Sequence, residues 1–300
     1  MLSILIPVYN FDIRALVSEL HRQITNEKVQ FEIIILDDAT TNGLNILNRQ
    51  IASLPNITYS ELSKNIGRSK IRNRLSSFAK YDYLLFMDAD AQIRSKTFIA
   101  DYLCECNGDV VVCGGMEYAP FYKEYSYKDQ YELRLNYGKN RECKTAEERN
   151  LIPNKSFMTF NFLISKSIFN KILFDESLSN YGHEDTLFGL ELKHENIIIK
   201  HINNPLRHLE IDSNSIFLTK ALASVKNIFS IVNRNSNYKD LYQDVKLLKY
   251  YVKIKTLGLA PIIELMYKLT HRSIERNLVN KGQNLLYFDL LRLGFLCTLK

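Results

Sequence analysis

The chain has 300 residues, 46% of them hydrophobic and 24% charged, with a formal net charge of +6. This is ordinary globular composition, long enough for one large core or for a core with an appended subdomain. Five cysteines without paired zinc spacing exclude a zinc framework and read as reduced cytosolic thiols in packing positions.

The N-terminal "MLSILIPVYN" has no basic flank and contains Pro7, so it reads as a first strand and not as a secretory leader. Helical spacing follows over 11–24, at Ile13, Leu16, Val17 and Leu20. "FEIIIL" is a second apolar run, with a helix expected over 44–52 and a third strand at "ITYSEL". A helix over 68–79 leads into "YLLFM", another over 97–104 into "DVVVCGG". Runs without polar alternation suit strands covered on both faces, and a β-α-β-α rhythm suits a mostly parallel, doubly wound sheet. No run of about eighteen apolar residues is present, so no spanning helix is expected. From Ile216 onward there are 14 Lys+Arg against 5 Asp+Glu, whereas the rest holds 25 against 28. The sequence thus divides into an α/β body, 1–212, and a basic, helical region with apolar stripes, 213–300.

Sheets of this kind bind ligands beyond the carboxyl ends of their strands. Those ends here are Pro7-Val8-Tyr9-Asn10, Asp37-Asp38 and Asp88-Ala89-Asp90. One acidic strand end is a turn; several on one rim suggest a site. No G-x-G-x-x-G follows the first strand and no P-loop motif occurs, so a glycine loop does not cradle phosphate. Oxygen ligands at Asp88 and Asp90 suit Mg²⁺ or Mn²⁺ bridging to phosphate instead.

"SILIPVYN", "IIILDDAT", "NIGRSKIRN", "LLFMDADA" and "YGHEDTLFG" occur in the order and approximate spacing of the family 2 glycosyltransferases. The resemblance runs from Leu2 to His208 and implies a GT-A fold, with a Rossmann-like sheet flanked by helices. It implies a nucleotide-sugar donor, UDP before GDP or dTDP, and a divalent metal, Mn²⁺ or Mg²⁺. Carried over residue by residue, it assigns Pro7 and Tyr9 to the base pocket and Asp38 to the base or ribose. Arg72 falls to the base or diphosphate, and Asp88 to the ribose and metal. Asp90 becomes the direct metal ligand, with His208 completing the shell. Asp185 becomes the general base and Glu184 an acceptor-orienting group. Each position also has a plainer structural reading: helix capping for Asp37, Asp38, Glu184 and Asp185, and a solvated basic face for Arg68 and Arg74.

Two departures stand out. Trp is absent, so the Q-x-x-R-W motif of processive synthases is missing, and 118–150 matches nothing assignable. That stretch is read as an acceptor-side flap or a surface helix. The function expected is inverting transfer to a hydroxyl of a glycan or lipid-linked acceptor, in cell-surface polysaccharide or glycoconjugate synthesis. It would take place in the cytoplasm, with peripheral association at an anionic inner membrane face and without nucleic acid. The alternatives are a degenerate nucleotide-sugar-binding scaffold and an aspartyl phosphatase; Gln92 stands where the latter prefers Thr or Val.

Overall fold

All five strand-like stretches of the sequence pair, with two further strands, into one seven-stranded sheet in the computed structural model, which describes residues 1–118, 128–178, 181–234 and 236–299. The strands are Leu2–Val8 (β1), Phe31–Asp37 (β2), Ile57–Glu61 (β3), Tyr83–Met87 (β4), Ala91–Gln92 (β5), Val111–Cys113 (β6), Met116–Tyr118 (β7), Asn161–Ser165 (β8), Lys200–His201 (β9) and Leu206–His208 (β10). The large sheet has the order β3-β2-β1-β4-β8-β6-β9. β1, β2, β3 and β4 are parallel, and β8 runs antiparallel between β4 and β6. A small second sheet, β5-β10-β7, lies beyond the end of β4.

Both faces of the large sheet are covered, which is why its central strands read as continuous apolar runs. Along β1, Leu2, Ile4, Ile6 and Val8 face one cluster, with Leu16, Val17 and Leu20 of the helix Arg14–Asn26. Leu5 faces the other, with Ile71 and Leu75 of the helix Arg68–Phe78 and Phe188 and Leu192 of the helix Glu184–His194. Phe86, Phe162, Phe169, Phe174 and Phe188 stack within this second cluster. Burying each such ring stabilises by about 1.5–3 kcal/mol. The first helix begins later than its apolar spacing predicts, because the Asp12 carboxylate accepts the Arg14 amide.

The chain divides into two compact units. The first comprises Met1–Ala119, Cys143–Ser179 and Glu184–Glu210; the second comprises Pro120–Glu142, Asn180–His183 and Ile211–Lys300. In the second, Leu133, Phe217, Leu218, Leu278, Phe288 and Leu291 form the core. One helix among the described residues, Asn214–Arg234, is long and apolar enough to cross a membrane by length and composition alone. It is not an uninterrupted apolar run, since Thr219, Lys220, Ser224, Lys226, Asn227 and Ser230 punctuate it. Phe217, Leu218, Ala221, Val225 and Ile228 on this helix are buried, as in a core helix. The flap expected at 118–150 falls partly outside the described residues, at 119–127; its remainder holds the helices Glu132–Tyr137 and Ala146–Asn150.

Candidate active site at the carboxyl ends of the strands

In the parallel register Pro7 of β1 lies beside Leu36 of β2, and Leu5 beside Phe86 of β4. The residues that follow β2, β1 and β4 therefore emerge on one rim, Asp38 and Asp88 separated by two strand spacings, about 10 Å. The sequence-predicted residues fall into three groups along it.

At the first, Pro7 is half-buried and Tyr9 exposes 49% of its surface. Asn10, at φ 56°, laces this loop to the next: its Oδ1 accepts from the Thr41 amide at 2.8 Å and its own amide donates to Thr40 Oγ1 at 2.9 Å. Asp37 is fully buried and structural, accepting from the Thr40 amide and the Tyr59 hydroxyl, both at 2.7 Å. Asp38 is also buried; its Oδ1 accepts from the Ile66 amide at 2.7 Å and its Oδ2 from the Gly67 amide at 3.0 Å. Burial raises its pKa above the usual carboxylate value, and the two amides oppose that shift. Asp38 thus anchors the start of the helix that carries Arg72, in addition to any contact with a ligand.

At the second group, Arg72 is 3% exposed. A buried guanidinium needs partners. Its Nη2 donates to Asp88 Oδ1 at 2.6 Å and to Thr159 Oγ1 at 3.3 Å, and its plane lies 5.7 Å from the Phe174 ring centre. One turn earlier, Arg68 Nη1 lies 3.4 Å from Glu184 Oε1. Arg68 is exposed, as its plain surface reading has it, and in addition reaches Glu184. Asp185 is half-buried, and its Oδ1 accepts from the Thr186 amide at 2.7 Å and hydroxyl at 3.3 Å. Among the described residues nothing donates to its Oδ2. Burial, then the Glu184 charge, push the Asp185 carboxyl up to about 6, against the Thr186 hydrogen bonds and the Arg72 cation.

The third group is Asp90 and His208, with His208 Nε2 at 3.3 Å from Asp90 Oδ2. The imidazole is held between the Tyr118 and Phe160 rings, whose centres lie 5.5 and 5.2 Å from its own. β5 and β10 make this meeting: His208 pairs with Ala91, and the Leu209 amide donates to the Asp90 carbonyl at 2.9 Å. Among the described residues no three His, Cys, Asp or Glu side chains gather as a metal cluster. The expected trio is separated here, with Asp90 and His208 together and Asp88 turned to Arg72. A carboxylate and an imidazole at this distance fit two ligands of a Mn²⁺- or Mg²⁺-type ion, Mn²⁺ tolerating the nitrogen better.

Sequence reasoning missed Thr159, Arg68 as a partner, and the two rings around His208. No local motif marks them, since each comes from a segment distant in the chain.

The sequence matches the family model "Glycosyl transferase family 2" over residues 3–173, more than half the chain. A poly(ribitol-phosphate) beta-glucosyltransferase of Bacillus spizizenii is 36% identical over 106 residues, covering 34% of this chain and 16% of the relative. An uncharacterized glycosyltransferase of Bacillus subtilis, YfnE, is 25% identical over 237 residues, covering 63% of this chain and 59% of the relative. The chain thus spans less than two thirds of either relative's length. Among solved structures, the mannosyltransferase PcManGT from Pyrobaculum calidifontis, in complex with GDP-Man and Mn²⁺, superposes with a TM-score of 0.57 at 14% identity. That match covers 98% of this chain and 85% of the other, and shows the GT-A fold alone.

Proposed function

The chain belongs to glycosyl transferase family 2, and on that premise we propose that it moves a sugar from a nucleoside-diphosphate donor, UDP first among the candidates, to a hydroxyl of a glycan or lipid-linked acceptor, with inversion. The observation that carries the reading is the buried Arg72, bonded to Asp88 and felt by Asp185, whose carboxyl is raised to about 6. A cation held between the donor-side and acceptor-side acids is what charge separation across a leaving diphosphate requires.

In this reading the exposed Tyr9 ring stacks on the nucleobase, and Asp38 accepts from base or ribose with the lone pairs its two amides leave. Arg72 orients Asp88 toward the ribose and stabilises negative charge on the diphosphate. Asp185 takes the acceptor proton on Oδ2. A base near pH 6 is ionised at neutral pH yet more basic than an ordinary carboxylate, which suits that task. Glu184, restrained by Arg68, orients the acceptor. Asp90 and His208 are the residues that would hold a divalent cation, which when bound supplies Lewis-acid stabilisation of the leaving group. The five cysteines are free thiols, which supports a cytoplasmic setting. Relatives named for ribitol-phosphate polymers support a cell-wall glycan acceptor.

A thermal-shift panel of nucleotide sugars, with and without Mn²⁺, tests the proposal. A donor at a hundred times its Kd should stabilise the chain by about 2.7 kcal/mol. The shift should shrink in EDTA and in Asp90→Asn. No shift with any nucleotide sugar in Mn²⁺, and no nucleoside diphosphate released, would overturn it.

A further inference from the structure

The helix Ala260–Asn280 has 21 residues, of which only Leu278 is fully buried. Tyr267 and Ile274 pack with Leu278 against the second unit's core. At about 100° per residue these three share one narrow arc. Ile262, Leu265, Met266 and Leu269 follow the i, i+3, i+4, i+7 spacing of a second stripe, centred about 150° away on the opposite side. All four are between 55% and 76% exposed. Leu257 and Leu259, in the turn before the helix, are exposed as well. An amphipathic helix on a solvated body needs one apolar face; this one has two, and the fold uses one.

Basic residues precede and follow the unused stripe along the chain. Lys253 and Lys255 are exposed on the preceding helix, Lys246–Thr256, and Arg272 and Arg276 on the helix itself, where Lys268 pairs with Glu264. Residues 246–300 hold 10 Lys+Arg against 3 Asp+Glu. A second copy of the same face would bring these cations against one another. An anionic surface with an apolar interior matches both features at once.

We propose that the outer stripe of this helix, with the turn before it, seats the protein on an anionic phospholipid bilayer, lying in the interface and not across it. Ile262, Leu265, Met266 and Leu269 enter the acyl boundary, while the flanking Lys and Arg meet lipid phosphates. The proposal is independent of the glycosyl-transfer reading, because none of these residues belongs to the rim site.

Flotation of the full chain with vesicles tests it, comparing phosphatidylcholine alone with phosphatidylcholine mixed with phosphatidylglycerol. The protein should float with the anionic vesicles and much less with the neutral ones, and the difference should collapse at high salt. The paired substitution Leu265→Glu with Leu269→Glu should abolish flotation. Lys253→Glu with Lys255→Glu should weaken it by roughly tenfold or more. All four positions are solvent-facing, so the variants should keep the wild-type circular dichroism and melting temperature. Absence of flotation, flotation unaffected by the Leu pair, or a dimer in sedimentation that the Leu pair dissolves without any vesicle binding would each overturn the proposal.

Discussion

Asp185 and Glu184 open the helix Glu184–His194, where the helix dipole favours acids whether or not they do chemistry. The two roles differ in what a neutral amide does. If Asp185 takes the acceptor proton, Asp185→Asn should lower turnover roughly a hundredfold or more while donor affinity by calorimetry stays near native. Near-native turnover would leave only capping. The raised pKa adds a second, independent readout. Its folded value of about 6 lies above the ordinary 3.8, so the folded chain binds the proton more tightly than the unfolded one. The stability this contributes is complete below 3.8 and is lost as pH rises through about 6, and Asp185→Asn should flatten that part of the profile. Turnover should run the opposite way, rising with pH through the same window as the base ionises. Asp38 makes a different prediction. Its two oxygens satisfy the Ile66 and Gly67 amides in a buried place, so Asp38→Ala should cost about 1–3 kcal/mol in urea denaturation. Donor affinity should fall with it; a fully stable variant would mean the amides find water instead.

The helix Arg68–Phe78 is the element on which the site turns. It presents Arg68 and Arg72 one turn apart, the first to Glu184 and the second to Asp88. Its starting point is Gly67, at φ 85°, which turns its amide onto Asp38. A Cβ there would meet nothing within 4 Å, so Gly67→Ala tests the backbone alone. At ψ 169° this positive φ lies in a region essentially restricted to glycine, so alanine should cost about 1–3 kcal/mol, read as a lowered urea midpoint, and relaxation of the helix start should lower turnover more than donor affinity. An unchanged midpoint would show that the turn does not depend on glycine. This element also marks the boundary of what the sequence discloses. Its limits and Arg72 are legible from "NIGRSKIRN", and the acidic rim from three apolar runs that each end in polar residues. The pairing of Arg68 with Glu184, 116 positions apart, is not legible, because exposed basic side chains look alike until a partner is near. β5, β7 and β10 are two or three residues long, too short for any periodicity, yet they bring His208 to Asp90. The Thr145–Glu148 capping box of the helix Ala146–Asn150, by contrast, has a signature legible in sequence, T-x-x-E.

At the scale of the whole chain, the charge asymmetry beginning at Ile216 suggests a cut near 212, with a catalytic body before it and a basic helical region after it. The second unit also takes Pro120–Glu142 and Asn180–His183 from within the first 212 residues. Of these, residues 128–142 supply core. Leu133 is fully buried against residues that include Phe217, Leu278 and Phe288. The Leu133 amide donates to Asn214 Oδ1 at 2.9 Å, and Asn214 Nδ2 donates to the Val279 carbonyl at 2.9 Å. Arg141 grips Asp289 through two bonds of 2.7 Å. A chain ended at Glu210 would keep Leu133, Tyr137 and Arg141 and lose every one of these partners. Exposing Leu133 alone forfeits about 1.5–3 kcal/mol, and the stranded apolar face would be free to associate. The truncated chain is therefore expected to aggregate or to melt well below the full chain, as judged by sedimentation and calorimetry. The paired change Leu133→Ser with Tyr137→Ser should partly restore its solubility by removing the stranded face. A monomeric truncated chain that melts like the parent and binds nucleotide sugar would show instead that residues 128–142 need nothing from the helices after 211.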